Sequence, residues 1–146
     1  MKARSESGKE PKVINIDKCY TDKIDEMKEK HKGDPNHYIS RLELKQIYLF
    51  AIVLALKRGH KPKRSEKPSQ LIRNEYLNSE DRLILRSLIF SSCDDMKILL
   101  PENAANLFDT AERLANAGMG EIIELLEDSE KIEKMILVES GKIPSK

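Results

Sequence analysis

Three histidines and two cysteines are the side chains of this chain best suited to hold a metal ion: His31, His37, His60, Cys19 and Cys93. Zinc sites pair ligands with two to five residues between them; only His31 and His37, with five between, reach the edge of that range, and neither cysteine stands near them. His31 and His37 flank a Gly33-Asp34-Pro35-Asn36 turn, which marks them as loop histidines. No metal and no cofactor is expected. Nucleophilic chemistry needs a nucleophile beside a base. Ser91, Ser92 and Cys93 are followed by Asp94 and Asp95, without a Gly-x-Ser-x-Gly elbow or an adjacent histidine. They also follow an apolar helix, whose C-terminal partial negative charge opposes a thiolate. Gly118-Met119-Gly120 lies between helical patterns rather than after a strand, so it suits a helix stop and a tight turn, not a phosphate loop. The chain is expected not to be an enzyme. All three histidines should sit at the surface, and Cys93 should pack as a small apolar side chain.

One cluster does carry a functional signal. Residues 57–67 read KRGHKPKRSEK, with six Lys or Arg against one Glu. Lys57, Arg58, Lys61, Lys63, Arg64 and Lys67, with Arg73 beyond, could neutralise several phosphates of double-stranded DNA. Such contacts position a protein on the duplex without reading bases. No aromatic is interleaved in the loop, which argues against stacking on single strands. The plainer account of the same charges is a solvated loop that keeps the protein in solution.

The elements that must position this loop are helical. Residues 40–59, SRLELKQIYLFAIVLALKRG, contain ten consecutive uncharged positions. A bilayer span needs about 20, so no membrane role is expected, and the run reads as a helix from about residue 41 to 58 buried on nearly every side. Ser40 to Glu43 has a capping-box pattern, and Gly59 stands at the left-handed stop. Before it, Val13 to Ile16 suggests a short strand with Ile14 and Ile16 on one face. A helix capped by Asp17 or Thr21 then carries Tyr20, Ile24 and Met27 to about Lys30. After it, residues 60–69 contain Pro62 and Pro68 and read as an exposed loop. Asn78 to Asp81 starts a helix with Leu83, Ile84, Leu85, Leu88 and Ile89 inward. Residues 96–100 form a connector or a strand. Pro101 opens a helix that runs to Gly118. Beyond Gly120 a separate Ile122 to Leu126 segment and a last helix over 129–138 complete the pattern.

Bulk composition agrees. A chain of 146 residues with 39% hydrophobic and 35% charged residues suits one charge-rich domain. The net charge of +1 hides an asymmetry, because residues 102–134 carry nine acids against three bases. Residues 1–12 are polar and lack the apolar core of a secretion signal. That points to a cytoplasmic protein whose two thiols are reduced and partly buried. The expected organisation is a disordered arm over 1–12, one helical domain over 13–138 and a frayed tail over 139–146. The expected fold class is all-α: a compact bundle of five or six helices around the central apolar helix, with at most a short N-terminal strand. Its core should hold Leu49, Phe50, Ile52, Val53, Leu56, Leu85, Leu88, Phe108, Ala111 and Leu125. A chain this small with so apolar a helix could also cover it with a second copy, so self-association as a homodimer through that helix is the rival to DNA binding.

Two resemblances follow from particular segments. Tyr48-Leu49-Phe50-Ala51, then Leu56-Lys57-Arg58-Gly59, a basic loop with proline, and Asp81-Arg82-Leu83 opening a helix resemble small Dnd-system-associated proteins. Residues 108–126 resemble the later acidic helix of that family, with Ala115-Asn116-Ala117-Gly118 in the place of its Tyr-Ala-Asn-Gly-Gly-like stop. Ala117 departs from a glycine there, and Leu114 stands where the family has an aromatic. The resemblance covers residues 40–128. It implies a setting, accessory to DNA phosphorothioation genes and to DNA modification or phage defence, and carries over no functional residue. The strand-helix-helix order of the first third also resembles ribbon-helix-helix regulators, which pair strands across a dimer in the major groove. Val13, Asn15 and Asp17 would then face outward, a ribbon short of Arg and Lys.

Overall fold

Apolar residues spaced for helices, punctuated by good caps, dominate the chain, and the computed structural model, which describes residues 9–128, is 67% helical. Five helices accompany a two-stranded antiparallel sheet. The elements are β1 (Val13–Asp17), α1 (Lys18–Lys30), α2 (Tyr38–Arg41), α3 (Leu44–Arg58), β2 (Pro68–Arg73), α4 (Ser79–Cys93) and α5 (Ala104–Glu127). Short 3-10 turns at Asn74–Tyr76, Met96–Leu99 and Pro101–Asn103 connect them. The expected helix over 129–138 and the tail over 139–146 lie outside the described residues.

The centre of the fold is the pair α3 and α5, which cross with almost no side chain between them. A Cβ added to Gly118 would lie 1.9 Å from the Ala51 carbonyl oxygen and 3.1 Å from the Ala55 nitrogen. Ala51, Ala55, Ala111 and Ala115 are all fully buried at or near this contact. Small residues here let two backbones touch, and Leu54, Leu114, Met119 and Leu126 fill the flanks. Gly118 therefore does not end a helix. α5 runs unbroken through Gly118 and Gly120, where two segments were expected. Sequence offers one symbol for two roles of glycine, and here close approach wins over capping.

β1 presents Ile14 and Ile16 to the core, as alternation predicts. Its partner is β2 of the same chain, in the register Val13↔Arg73, Ile14↔Ile72, Asn15↔Gln70, Ile16↔Ser69 and Asp17↔Pro68. The expected single strand thus gains a second, and the basic loop ends at residue 67 rather than 69. Leu71 is the extra residue of a bulge, which lets Leu71 and Ile72 both reach the core. Pro68 is tolerated because it is the first residue of β2.

Helix ends correct the reading further. Glu43, not Ser40, caps α3, and Gln46 Oε1 accepts the Glu43 N–H at 2.8 Å. Ser40 lies in α2 and donates to the His31 carbonyl at 3.1 Å. Gly59 closes α3 with φ 69°, as expected. Asn78 and Asp81 cap α4 reciprocally, at 2.8 and 2.9 Å, and Asp81 also accepts from Lys45 of α3 at 2.8 Å.

Four expected core side chains face outward. Phe50 is 45% and Val53 37% exposed on α3, and Leu83 and Ile84 are exposed on α4. α5 and α4 occupy two sides of α3 and leave a stripe between, so the central helix is not covered all round. Leu56, Leu88 and Leu125 are partly buried against the core, while Leu49, Ile52, Leu85, Phe108 and Ala111 lie within it. The 3–5 kcal/mol that Phe50→Ala would cost if the ring were buried does not apply; a half-exposed ring is worth about 1–2 kcal/mol. Residues 9–12, expected in the arm, are tied to the body. Lys12 accepts the Asn74 N–H at 3.0 Å, and Glu10 pairs with Arg82 and, at 3.9 Å, with Arg86.

Candidate nucleic-acid interface

The basic loop, residues 60–67, has no regular secondary structure, yet its backbone is held at four points. The Lys63 N–H donates to the Arg113 carbonyl of α5 at 2.9 Å. The Glu66 N–H donates to Asp17 Oδ2 at 2.8 Å, and Lys67 accepts the Lys18 N–H at 2.8 Å. The fourth point is Asn116, buried to 1% exposure on α5. Its Nδ2 donates to Ser65 Oγ at 2.6 Å and to the Lys63 carbonyl at 3.3 Å, while its Oδ1 accepts the Asp17 N–H at 2.8 Å. Every polar atom of that amide is used. Loop, strand and helix meet on it.

Asp17 works on two elements at once. It caps α1 by accepting from Cys19 N at 3.3 Å while it holds the loop through Glu66. The Glu66 N–H is the main reason its carboxyl titrates below the usual aspartate range.

The predicted cations fall into distinct groups. Arg58 Nε donates to Glu121 Oε2 of α5 at 2.8 Å, and His60 Nε2 lies 3.5 Å from the other oxygen of the same carboxylate. Lys63 donates to the Tyr20 hydroxyl at 3.3 Å and sits 5.6 Å from that ring's centroid; the hydroxyl contact raises its pKa and keeps it charged. Lys61, Arg64 and Lys67 are exposed and form no ion pair among the described residues. Lys57 is exposed on the last turn of α3. Arg73 stands apart. It is five residues along β2 from Pro68, about 17 Å away, and faces Glu75 at 3.2 Å. The structure therefore gathers Lys57 to Lys67 at one end of α3 and leaves Arg73 at the other end of the sheet.

Asn116, Asp17, Tyr20 and Ser65 were not singled out as site residues. Asn116 had a signal: it lies beside Ala115 and Met119 on the apolar stripe of α5, where a polar side chain needs partners. The other three are ordinary surface types, and only the fold brings them to the loop.

The remaining chemical candidates stay separate. His31 and His37 are half-buried rather than fully exposed, and their rings stack in parallel with centroids 3.6 Å apart. Lone pairs in the planes of parallel rings run side by side and do not converge on one ion at about 2.0–2.1 Å. His37 Nδ1 is already an acceptor for the Ile39 N–H at 3.2 Å. Among the described residues no group of three or more potential ligands gathers. Cys19 and Cys93, expected to be partly buried, are both exposed. Cys93 is carried on the last turn of α4, 3.6 Å from Ser92 Oγ, past the end of the face that Leu85 and Ile89 bury. Ser91 and Ser92 donate to carbonyls of their own helix at 2.7 and 2.8 Å. Asp94 turns the chain with φ 55°. No described helix is long and apolar enough to cross a membrane.

Compared with known proteins, the chain matches no family model, no curated protein and no solved structure.

Proposed function

We propose that this is a non-enzymatic, cytoplasmic accessory protein that binds duplex DNA through the 60–67 loop, in a DNA modification or phage-defence setting. One observation carries the reading: three exposed cations, Lys61, Arg64 and Lys67, project from a loop whose backbone is fastened to α5, β1 and α1. Fastening lowers the ordering cost of binding, because the loop need not be immobilised on contact. Arg58 and Lys63 contribute charge from places already partnered by Glu121 and Tyr20, and Arg73 lies outside the contact. The setting rests on the resemblance of residues 40–128 to Dnd-system-associated proteins.

The test is fluorescence anisotropy on duplex DNA across a salt series. Affinity should fall steeply with salt and differ little between duplex sequences. Lys61→Ala, Arg64→Ala and Lys67→Ala combined should reduce the salt slope by about 3, at about 0.9 per phosphate contact. Absence of binding at low salt rejects the proposal.

A further inference from the structure

The apolar run at residues 96–100 does not enter the core whole. It turns through a 3-10 helix packed on α4 and α5, which leaves Ile98 and Leu99 half-buried and Leu100 44% exposed. Between this turn and the start of α5 lies a groove of about 440 Å³, lined by Ile98, Leu99, Leu100, Ala104, Leu107 and Phe108. Its wall is held in place. Asp95 Oδ1 accepts the Lys97 N–H at 3.0 Å, and Asn103 Nδ2 donates to the Lys97 carbonyl at 2.6 Å. A mostly apolar, preformed groove of this size suits a small molecule. Among its described lining residues only Glu10 and Arg86 are charged. Glu10 is held by Arg82, which also donates to the Asn74 carbonyl at 3.1 Å. Arg86, one turn further along α4, reaches Glu10 only at 3.9 Å and donates no hydrogen bond among the described residues. Two guanidinium groups thus share one carboxylate, and the half-exposed one keeps its donors.

We propose that this groove binds a small monocarboxylic acid with an apolar body, of the kind a short fatty acid represents. The carboxylate accepts two hydrogen bonds from the Arg86 guanidinium, a planar fork that matches it. The chain lies along Leu100, Ala104 and Leu107, where its burial supplies most of the affinity. The pair of arginines at the lip balances one further negative charge beside Glu10. A neutral molecule of the same shape leaves that charge unanswered, and a cation would add to it, so the site selects for an acid. Glu10 itself works against the ligand, as a like charge at the same lip, and so limits the affinity. None of these residues belongs to the 60–67 loop, so the groove and the DNA-binding reading can each fail without the other.

The experiment is a titration of the full chain with octanoate, followed by the backbone amide signals of Leu100, Ala104 and Leu107 in a proton–nitrogen correlation spectrum. These signals should move together and saturate. The neutral probe 1-octanol should bind at least about tenfold more weakly, because it lacks the charge-assisted contact. Arg86→Gln should weaken octanoate by about the same factor and leave 1-octanol unchanged. Its side chain is half-exposed, so amide signals away from the groove should stay in place. Glu10→Gln keeps a partner for Arg82, removes the like charge and should tighten octanoate. No saturation with octanoate at millimolar concentration overturns the proposal. Equal affinity for octanoate and 1-octanol, or an Arg86→Gln chain that binds octanoate as the wild type does, overturns the recognition of the acid. A Glu10→Gln chain that gains no affinity overturns the placement of the carboxylate at this lip.

Discussion

Asn116 accepts the backbone N–H of Asp17 at 2.8 Å across 99 residues of sequence, and the same amide donates to the loop that carries the exposed cations. One buried side chain thus ties the start of α1, the middle of α5 and the basic loop together. Asn116→Leu keeps the volume and strands the Asp17 N–H and the Lys63 carbonyl. Urea denaturation should show a loss of about 1–3 kcal/mol. DNA affinity should fall while its salt slope stays at the wild-type value, because the number of cations is unchanged and only their positioning is lost.

Two glycines of α5 should respond to alanine with opposite signs. At Gly118 the new methyl meets the Ala51 carbonyl at 1.9 Å, a backbone atom that cannot rotate away. Overpacking there should cost about 1–3 kcal/mol, net of the better helix propensity of alanine. At Gly120 the nearest atoms are the Tyr20 hydroxyl oxygen at 3.8 Å and its ring carbon Cε1 at 3.9 Å, ordinary contact. Gly120→Ala should therefore stabilise by up to about 1 kcal/mol. Thermal melts of the two variants, moving in opposite directions from wild type, would confirm the crossing.

Tyr48 is fully buried, and its hydroxyl has no hydrogen-bond partner among the described residues. Burial, and then the charge of Glu112, drives its pKa far above the ordinary tyrosine value. Tyr48→Phe removes an unsatisfied polar atom and keeps the ring. The expected result is a gain of about 1 kcal/mol in chemical denaturation. A loss would mean that the hydroxyl is satisfied.

His37 should make stability depend on pH. Burial, then the neighbouring His31, lowers its pKa below 6.5; Lys30 acts in the same sense and Asp34 against it. The unfolded chain consequently takes up a proton at higher pH than the folded one. Stability is full above 6.5 and declines as pH falls from there through the depressed native value. Protonation also removes the acceptor for the Ile39 N–H. His37→Asn keeps an acceptor at this helix start and does not titrate. Its denaturation midpoint should be flatter than that of wild type over this window, which a pH series of urea melts measures.

Elements with local causes were legible in the sequence. Gly59 ends α3, Asn78 starts α4, and Ile14 and Ile16 face inward because caps and periodicity are short-range properties. What escaped was non-local. β2 was hidden because Pro68 opens it and its partner β1 lies more than fifty residues earlier. α5 looked broken because a glycine needed for touching backbones has the same letter as one that ends a helix. Phe50 and Val53 looked buried because composition says that a helix is apolar, while its neighbours decide which side is covered. The loop's charges were visible at once, but not its fastening, which depends on Asn116, Asp17 and Arg113 arriving from elsewhere.

α5 supplies twelve buried residues from the end of the described chain, including the small-residue surface that α3 crosses. Synthesis from the N-terminus has a consequence here. When α3 is finished, 69 more residues must be added before residue 127 exists, which takes roughly 3–14 s at 5–20 residues per second. Throughout that interval the growing chain holds an apolar helix whose Ala51 and Ala55 face lacks the α5 backbone it packs against. Closure of the α3–α5 crossing is thereby the last step of folding during synthesis, and the Ile47 to Leu56 run of α3 is the apolar segment left open until then.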